Sequence, residues 1–209
     1  MSREFFDKLF HYAKMFNEQG ISKILDEVFA QNSLESFIYN FLVPLLSEIG
    51  KKWEDNEILP IHEHFLSEII SSYLIQKKYV IKKNISTELR PNILIATIEP
   101  EGHSLGIKLV DIILTNESVN TIFIGERTPL EDIVSVSNSN IVDIIALSFP
   151  LTTSKAVVEA SITFLREHTS DHIEIWFGGG SSNNININKF NCKYLELSQL
   201  KDEVSKFRI

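Results

Sequence analysis

From Phe5 to about Ile81 the apolar side chains recur at helical spacing, and after that the pattern changes. Phe5, Phe6, Leu9, Phe10, Ala13 and Phe16 form one stripe, and Ile21, Ile24, Leu25, Val28 and Phe29 a second. Asn32 and Ser33 carry short polar side chains able to accept from the unpaired N–H groups of a helix start. They predict a third helix with the stripe Phe37, Phe41, Leu45 and Ile49. Pro44 falls inside that stripe, where its missing N–H and its ring predict a kink and not a break. Pro60 suits a first turn and predicts a fourth helix running through Phe65, Ile69 and Tyr73. Four amphipathic helices with short connections predict a four-helix bundle over residues 1–83.

A polar stretch, NISTELRP at 84–91, reads as a linker. Beyond it, NILIATI (92–98) is a short, branched, almost continuous apolar run, the composition of a strand buried on both faces. TIFIG (121–125), IVDIIALS (141–148) and IEIWFGG (173–179) are similar, with helical patterns near 104–116, 129–137 and 152–169 between them. Alternating strand and helix predicts an α/β domain over 92–209, a doubly wound parallel sheet of flavodoxin-like or Rossmann-like type. Ligands of such sheets sit beyond the carboxyl ends of the strands, at the point where strand order reverses.

Composition narrows the function classes. Lys and Arg total 20 against 28 Asp and Glu, a formal charge of -8, so the chain lacks the basic footprint of direct nucleic-acid binding. Cys192 is the only cysteine and builds neither an internal disulfide nor a thiolate metal site. No apolar run approaches the ~20 residues of a membrane span. MSREFFDKLF has none of the layout of a signal peptide, so a soluble cytoplasmic protein is expected.

The first strand ends in EPEGHSLG (99–106). A dinucleotide fold would place a glycine-rich phosphate loop here, but only Gly102 and Gly106 are present, with Ser104 between them. Imidazole is a strong ligand for transition metals, and its second nitrogen needs a partner to fix the tautomer. Glu101, two residues before His103, has the reach to be that partner. With no cysteine or second histidine nearby, His103 cannot build a bare metal site, but it can be the single axial ligand of a metal already held by a macrocycle. Taken alone, the spacing also fits a solvated histidine at a loop edge.

Glu101-Gly-His103-Ser-Leu-Gly106 resembles the D/E-x-H-x-x-G signature of cobalamin-binding domains. Residues 107–147, 41 in number, separate it from Ser148-Phe-Pro150, and 27 more, 151–177, lead to Gly178-Gly179-Gly180, in the order that family follows. Pro150, where an aliphatic is usual, is a departure. The resemblance implies that His103 ligates cobalt from below, displacing the cofactor's own base into a groove along the sheet. It also implies cofactor contacts from Glu101, Ser104, Gly106, Ser148, Pro150, Thr152, Ser154, Gly178, Gly179 and Gly180.

In the helical half, Trp53 is followed after nine residues by Glu63-His64. This W-x9-E-H spacing is similar to the cap of CarH/LitR-type photoreceptor regulators. The resemblance implies that Trp53 covers the upper axial group, with Glu63 and His64 touching it. On composition alone, Trp53 could equally close a helix end, Glu63 favour a helix N-terminus, and His64 with Glu68 suggest a metal pair. Two features depart from the regulators. The chain opens directly on the cap, without their helix-turn-helix, so it is expected to be part of a longer regulator or to act through another protein. Glu54 stands where some of them have a cobalt-capturing histidine, a task left to His62 or His64.

The resemblance therefore implies a non-enzymatic cobalamin sensor, responsive to light or to adenosylcobalamin and acting on transcription through a protein partner or as a homo-oligomer. Methylcobalamin or hydroxocobalamin are alternative cofactor forms. A methyl-carrying corrinoid protein of a methyltransferase system is the alternative function.

Overall fold

The structure, a computed structural model, describes residues 2–82, 91–150, 153–180, 185 and 191–207. The predicted linker lies outside the described residues except for Pro91. The chain divides into two compact units, Met1–Lys77 and Lys78–Ile209.

The first unit is helical: α1 (Ser2–Lys14), α2 (Glu18–Ala30), α3 (Leu34–Phe37), α4 (Val43–Glu54) and α5 (Pro60–Lys82), the last running five residues into the second unit. Asn17 caps α2 by accepting from the N–H of Gly20 at 2.9 Å. Ser33 caps α3 by accepting from Ser36 at 3.1 Å. Asn32, read as a further cap, instead donates to the Val28 carbonyl at the end of α2.

The predicted third helix is continuous but not uniform. A π-helical turn, Ile38–Leu42, joins α3 to α4, and Pro44 sits in the first turn of α4. The proline ring crowds the carbonyl four residues back, and a widened turn upstream relieves the crowding. A π turn therefore stands where a kink was predicted. Phe37, Phe41, Leu45 and Ile49 are all buried. Phe16 departs from its predicted stripe: α1 ends at Lys14, Phe16 takes φ 50°, and its half-exposed ring packs on His62 and Phe65. The unit's core is Leu9, Leu25, Phe37, Leu42, Leu66 and Leu74. At its edge the Tyr73 hydroxyl and the Lys77 ammonium both donate to Asp26, tying α5 to α2. Burial and this bond to Asp26 push the Tyr73 hydroxyl far above its ordinary pKa.

The second unit is a five-stranded, all-parallel sheet: β1 (Asn92–Ile98), β2 (Asn120–Thr128), β3 (Ile144–Ser148), β4 (Glu174–Gly178) and β5 (Cys192–Tyr194), in the order β2-β1-β3-β4-β5. Between them run α6 (Leu105–Asn116), α7 (Leu130–Ser137) and α8 (Lys155–His168), and α9 (Leu200–Ser205) follows. Helices α6 and α9 pack together, as do α7 and α8, so the sheet is wound on both faces. All of Ile93 to Ile98 is buried. The chain goes from β1 to β2 on one side and returns to β3 on the other, so the switch point lies between the carboxyl ends of β1 and β3.

Two strand boundaries and two elements depart most from the sequence reading. β2 extends to Thr128 because Gly125, at φ 109°, absorbs a register shift against β1 and lets the polar residues after it keep pairing. β3 begins at Ile144 and not at 141: the Asp143 carboxylate accepts from the N–H of Asn92 at 2.7 Å, and Asn140 turns at φ 60°. β5 and α9 were not predicted.

Candidate functional site

The loop after β1 is braced from both sides. The N–H of Glu101 donates to Ile98 O at 2.9 Å, and its carbonyl accepts from the Thr97 hydroxyl at 3.2 Å and from the N–H of Arg127 at 3.2 Å. The loop's shape is thus set by the buried end of β1 and by β2. One oxygen of the Glu101 carboxylate, itself only 12% exposed, accepts from the backbone N–H of His103 at 2.9 Å and also contacts Nδ1 of the same residue. A carboxylate on Nδ1 favours the tautomer that leaves the Nε2 lone pair outward. Nε2 makes no hydrogen bond among the described residues, and the imidazole is 69% exposed. The arrangement is a ring fixed from behind with its second nitrogen presented.

Ser104 opens α6, and its hydroxyl accepts from Lys108 Nζ at 3.0 Å. Gly106, in the first turn of α6, faces Ser148 at the end of β3: a Cβ there would stand 3.1 Å from Ser148 Oγ. Ser148 pairs in register with Gly178. Gly178 and Gly179 are required by the chain itself. A Cβ on Gly178 would run into the Leu195 carbonyl, and one on Gly179, at φ 99°, into that of Phe149. The N–H of Phe149 donates to Gly178 O at 2.8 Å, locking the two strand ends together. At Gly178 and Gly179 the space of the missing Cβ is taken by the chain's own backbone.

Gly106, Ser148, Gly178 and Gly179 line one end of a largely apolar cavity of about 110 Å³ on the α6–α9 face of the sheet. Ile95, Ala146 and Trp176 form its floor, Val110 of α6 one wall, and Leu197 and Leu200 the other. The Trp176 indole N–H donates to Glu174 at 2.9 Å, so the ring shows only carbon to the cavity. Sequence reasoning had Trp176 as an ordinary strand residue and passed over Leu195, Leu197 and Leu200, whose spacing matches neither element period.

The other predicted residues are more dispersed. Pro150 follows β3 and is half-buried. Thr152 lies outside the described residues. Ser154 accepts from the N–H of Val157 at 3.4 Å as the cap of α8, so its acceptor role belongs to the helix. Gly180 follows β4 at the end of a described segment.

In the first unit, Trp53 is 49% exposed near the end of α4. Glu63 and His64 lie in the first turn of α5, Glu63 accepting from the Ser67 hydroxyl at 2.6 Å and lying 3.5 Å from His64 Nε2. His62 accepts from the N–H of Leu59 at 3.3 Å. Among the described residues no group of three or more His, Cys, Asp or Glu side chains is placed to hold a metal ion, His64 and Glu68 included. A donor set of one oriented imidazole suits a metal that brings its other ligands with it. Beside it, the apolar cavity suits the tail of such a carrier. No described helix is long and apolar enough to cross a membrane.

Comparison with known proteins gives the family and the fold. Two family models, each described as a B12 binding domain, match residues 6–75 and 91–184. The HTH-type transcriptional repressor CarH of Myxococcus xanthus is 25% identical over 167 residues, covering 80% of this chain. The chain spans about half of that relative's length, 54%. Among solved structures, the monomethylamine corrinoid protein of Methanosarcina barkeri superposes with a TM-score of 0.78 over 98% of both chains at 18% identity. The methanol:cobalamin methyltransferase complex of the same organism gives a TM-score of 0.50 at 15% identity, over 99% of this chain and 80% of that one. At these identities the two structures establish the fold.

Proposed function

The chain belongs to the B12 binding domain family and is a cobalamin-binding protein, and on that premise we propose that it is a regulatory sensor of cobalamin with His103 as the lower axial cobalt ligand. The observation that carries the reading is the Glu101–His103 pair: a braced imidazole with Nε2 free among the described residues, at the switch point of the sheet. In this reading Glu101 sets the tautomer, Gly106 and Ser148 border the cofactor's tail, and Trp176, Val110 and Leu200 exclude water from it; Ser104, at the start of α6, is a further proposed contact. Pro150, Thr152, Ser154, Gly178, Gly179 and Gly180 complete the proposed cofactor-contacting set, and the exposed Trp53 indole, Glu63 and His64 are its candidates from the helical unit. Bound as adenosylcobalamin, the cofactor supplies a cobalt–carbon bond that light can break. The similarity to CarH, a repressor, supports a regulatory output, delivered to a protein partner or through self-association. The acidic charge weighs against direct DNA contact by this chain.

A second reading is a corrinoid protein that carries methyl groups for a methyltransferase, favoured by a fold shared over nearly the whole chain with the Methanosarcina barkeri protein. One experiment separates the two. Protein loaded with adenosylcobalamin in darkness is passed through gel filtration before and after green light. A sensor retains corrinoid in the dark and changes its spectrum and oligomeric state on illumination. A carrier shows no such light-dependent assembly and accepts methyl groups from a methyltransferase. Failure to co-elute with any corrinoid refutes both.

A further inference from the structure

Arg127 is the last residue but one of β2, at the carboxyl edge of the sheet beside the His103 loop. It takes φ 55°, a left-handed conformation that a residue with a Cβ adopts only at a cost, and such outliers concentrate at binding sites. Its guanidinium lies against Gly102: a Cβ on that glycine would stand 3.1 Å from Nη2 and 3.4 Å from Nε. Yet among the described residues the guanidinium forms no hydrogen bond or ion pair, although Glu126 is its neighbour in the chain and the Glu101 carbonyl accepts from its own backbone N–H. Lys108, the other cation at this loop, is already donating to Ser104. A fork of five donors is thus held next to the residue that precedes His103, with no acceptor among the described residues.

We propose that Arg127 is an anchoring residue for the corrinoid, donating to carbonyl oxygens of the carboxamide arms on the rim of the macrocycle. The assignment rests on His103 as the axial ligand. A corrinoid held at Nε2 of His103 would bring its amide arms to the neighbouring loop, where the guanidinium against Gly102 could donate to them. The same fork pairs still better with a carboxylate, which offers two charged oxygens to it.

Arg127→Gly tests this, because glycine accepts φ 55° without steric penalty. The variant should keep or raise the wild-type Tm while its dissociation constant for cobalamin, read by absorbance titration, rises about tenfold. A cobalamin derivative with one carboxamide hydrolysed to the acid is the second probe, each positional isomer being titrated in turn. Wild-type protein should bind at least one isomer as tightly as cobalamin or tighter, and Arg127→Gly should lose that preference. Equal dissociation constants for both proteins with both probes overturn the proposal, as does a fall in Tm with unchanged affinity, which would make Arg127 a structural cover for the loop. If wild-type protein binds no cobalamin, the cofactor reading falls and this proposal with it. If wild type binds and Arg127→Gly is indistinguishable, only the Arg127 assignment falls.

Discussion

Glu101 holds His103 twice, one carboxylate oxygen accepting the main-chain N–H at 2.9 Å and also meeting Nδ1 of the ring. Backbone and side chain of the histidine are therefore oriented by a single group two residues away. Removing it frees the ring to rotate and to change tautomer. Glu101→Ala should weaken cobalamin binding by roughly 10–100-fold, as loss of a partner behind a metal-bound imidazole does. Glu101→Gln, which still accepts from the backbone N–H, should fall between the two. Absorbance titration of the three proteins checks the order.

The glycines divide into two kinds. Gly179→Ala places a Cβ against the Phe149 carbonyl at a positive φ and should destabilise the second unit by about 2 kcal/mol or more. Gly106→Ala meets only the Ser148 hydroxyl, at 3.1 Å, a side chain able to give way. Its Tm should stay near wild type while cobalamin binding weakens. Thermal melts with and without cofactor distinguish the two behaviours.

Lys78 and Asp111 form a largely buried pair in the second unit, with Nζ 2.7 and 2.6 Å from the two carboxylate oxygens and side chains 19% and 7% exposed. Lys78 also lies over the Phe123 ring. Asp111→Ala leaves an ammonium without its counter-charge and should cost about 3 kcal/mol. Replacing both residues, as Lys78→Met with Asp111→Leu, should recover most of that loss, since the pair's desolvation cost disappears with it. Urea denaturation of the single and double variants provides the comparison.

Glu203 on α9 gives an acid-sensitive point. Burial pushes its carboxyl pKa up, but hydrogen bonds from Lys193 and Lys206 more than offset this and hold it below the ordinary value. A lowered folded-state pKa means stabilisation that is complete above the unfolded value and is lost as pH falls through the folded one. Lys193 also bonds Glu174, which holds the Trp176 indole at the cavity floor. Acidification below the ordinary carboxyl range should therefore loosen α9 and the cavity wall that Leu200 supplies. Tm measured across this range should fall less steeply for Glu203→Gln than for wild type, from a lower starting value at neutral pH.

Much of this was legible in the sequence. NILIATI is β1 to the residue, because a strand buried on both faces leaves a continuous apolar run. Phe37, Phe41, Leu45 and Ile49 fall inward as their period requires, even through a π turn. The loop chemistry was also readable, since Glu101 and His103 are near neighbours and their contact depends on local geometry. What escaped depends on distant chain. β5 is three half-buried residues with a lysine at the centre, too short for any period. Trp176 looked like any core residue until α9 and the segment from Leu195 enclosed a cavity beside it. The need for Gly178 and Gly179 comes from two carbonyls, 17 and 30 residues away (Leu195 and Phe149), which no local pattern announces.

The central claim is the bond from His103 to cobalt, and one measurement addresses it directly. Protein with ¹⁵N-labelled histidine, loaded with unlabelled cobalamin and reduced to the paramagnetic cobalt(II) state, is examined by electron paramagnetic resonance. Coordination by His103 predicts doublet superhyperfine splitting from a spin-½ nitrogen, absent in His103→Ala. A triplet from the cofactor's own ¹⁴N base, unchanged by the label and by the substitution, would contradict it.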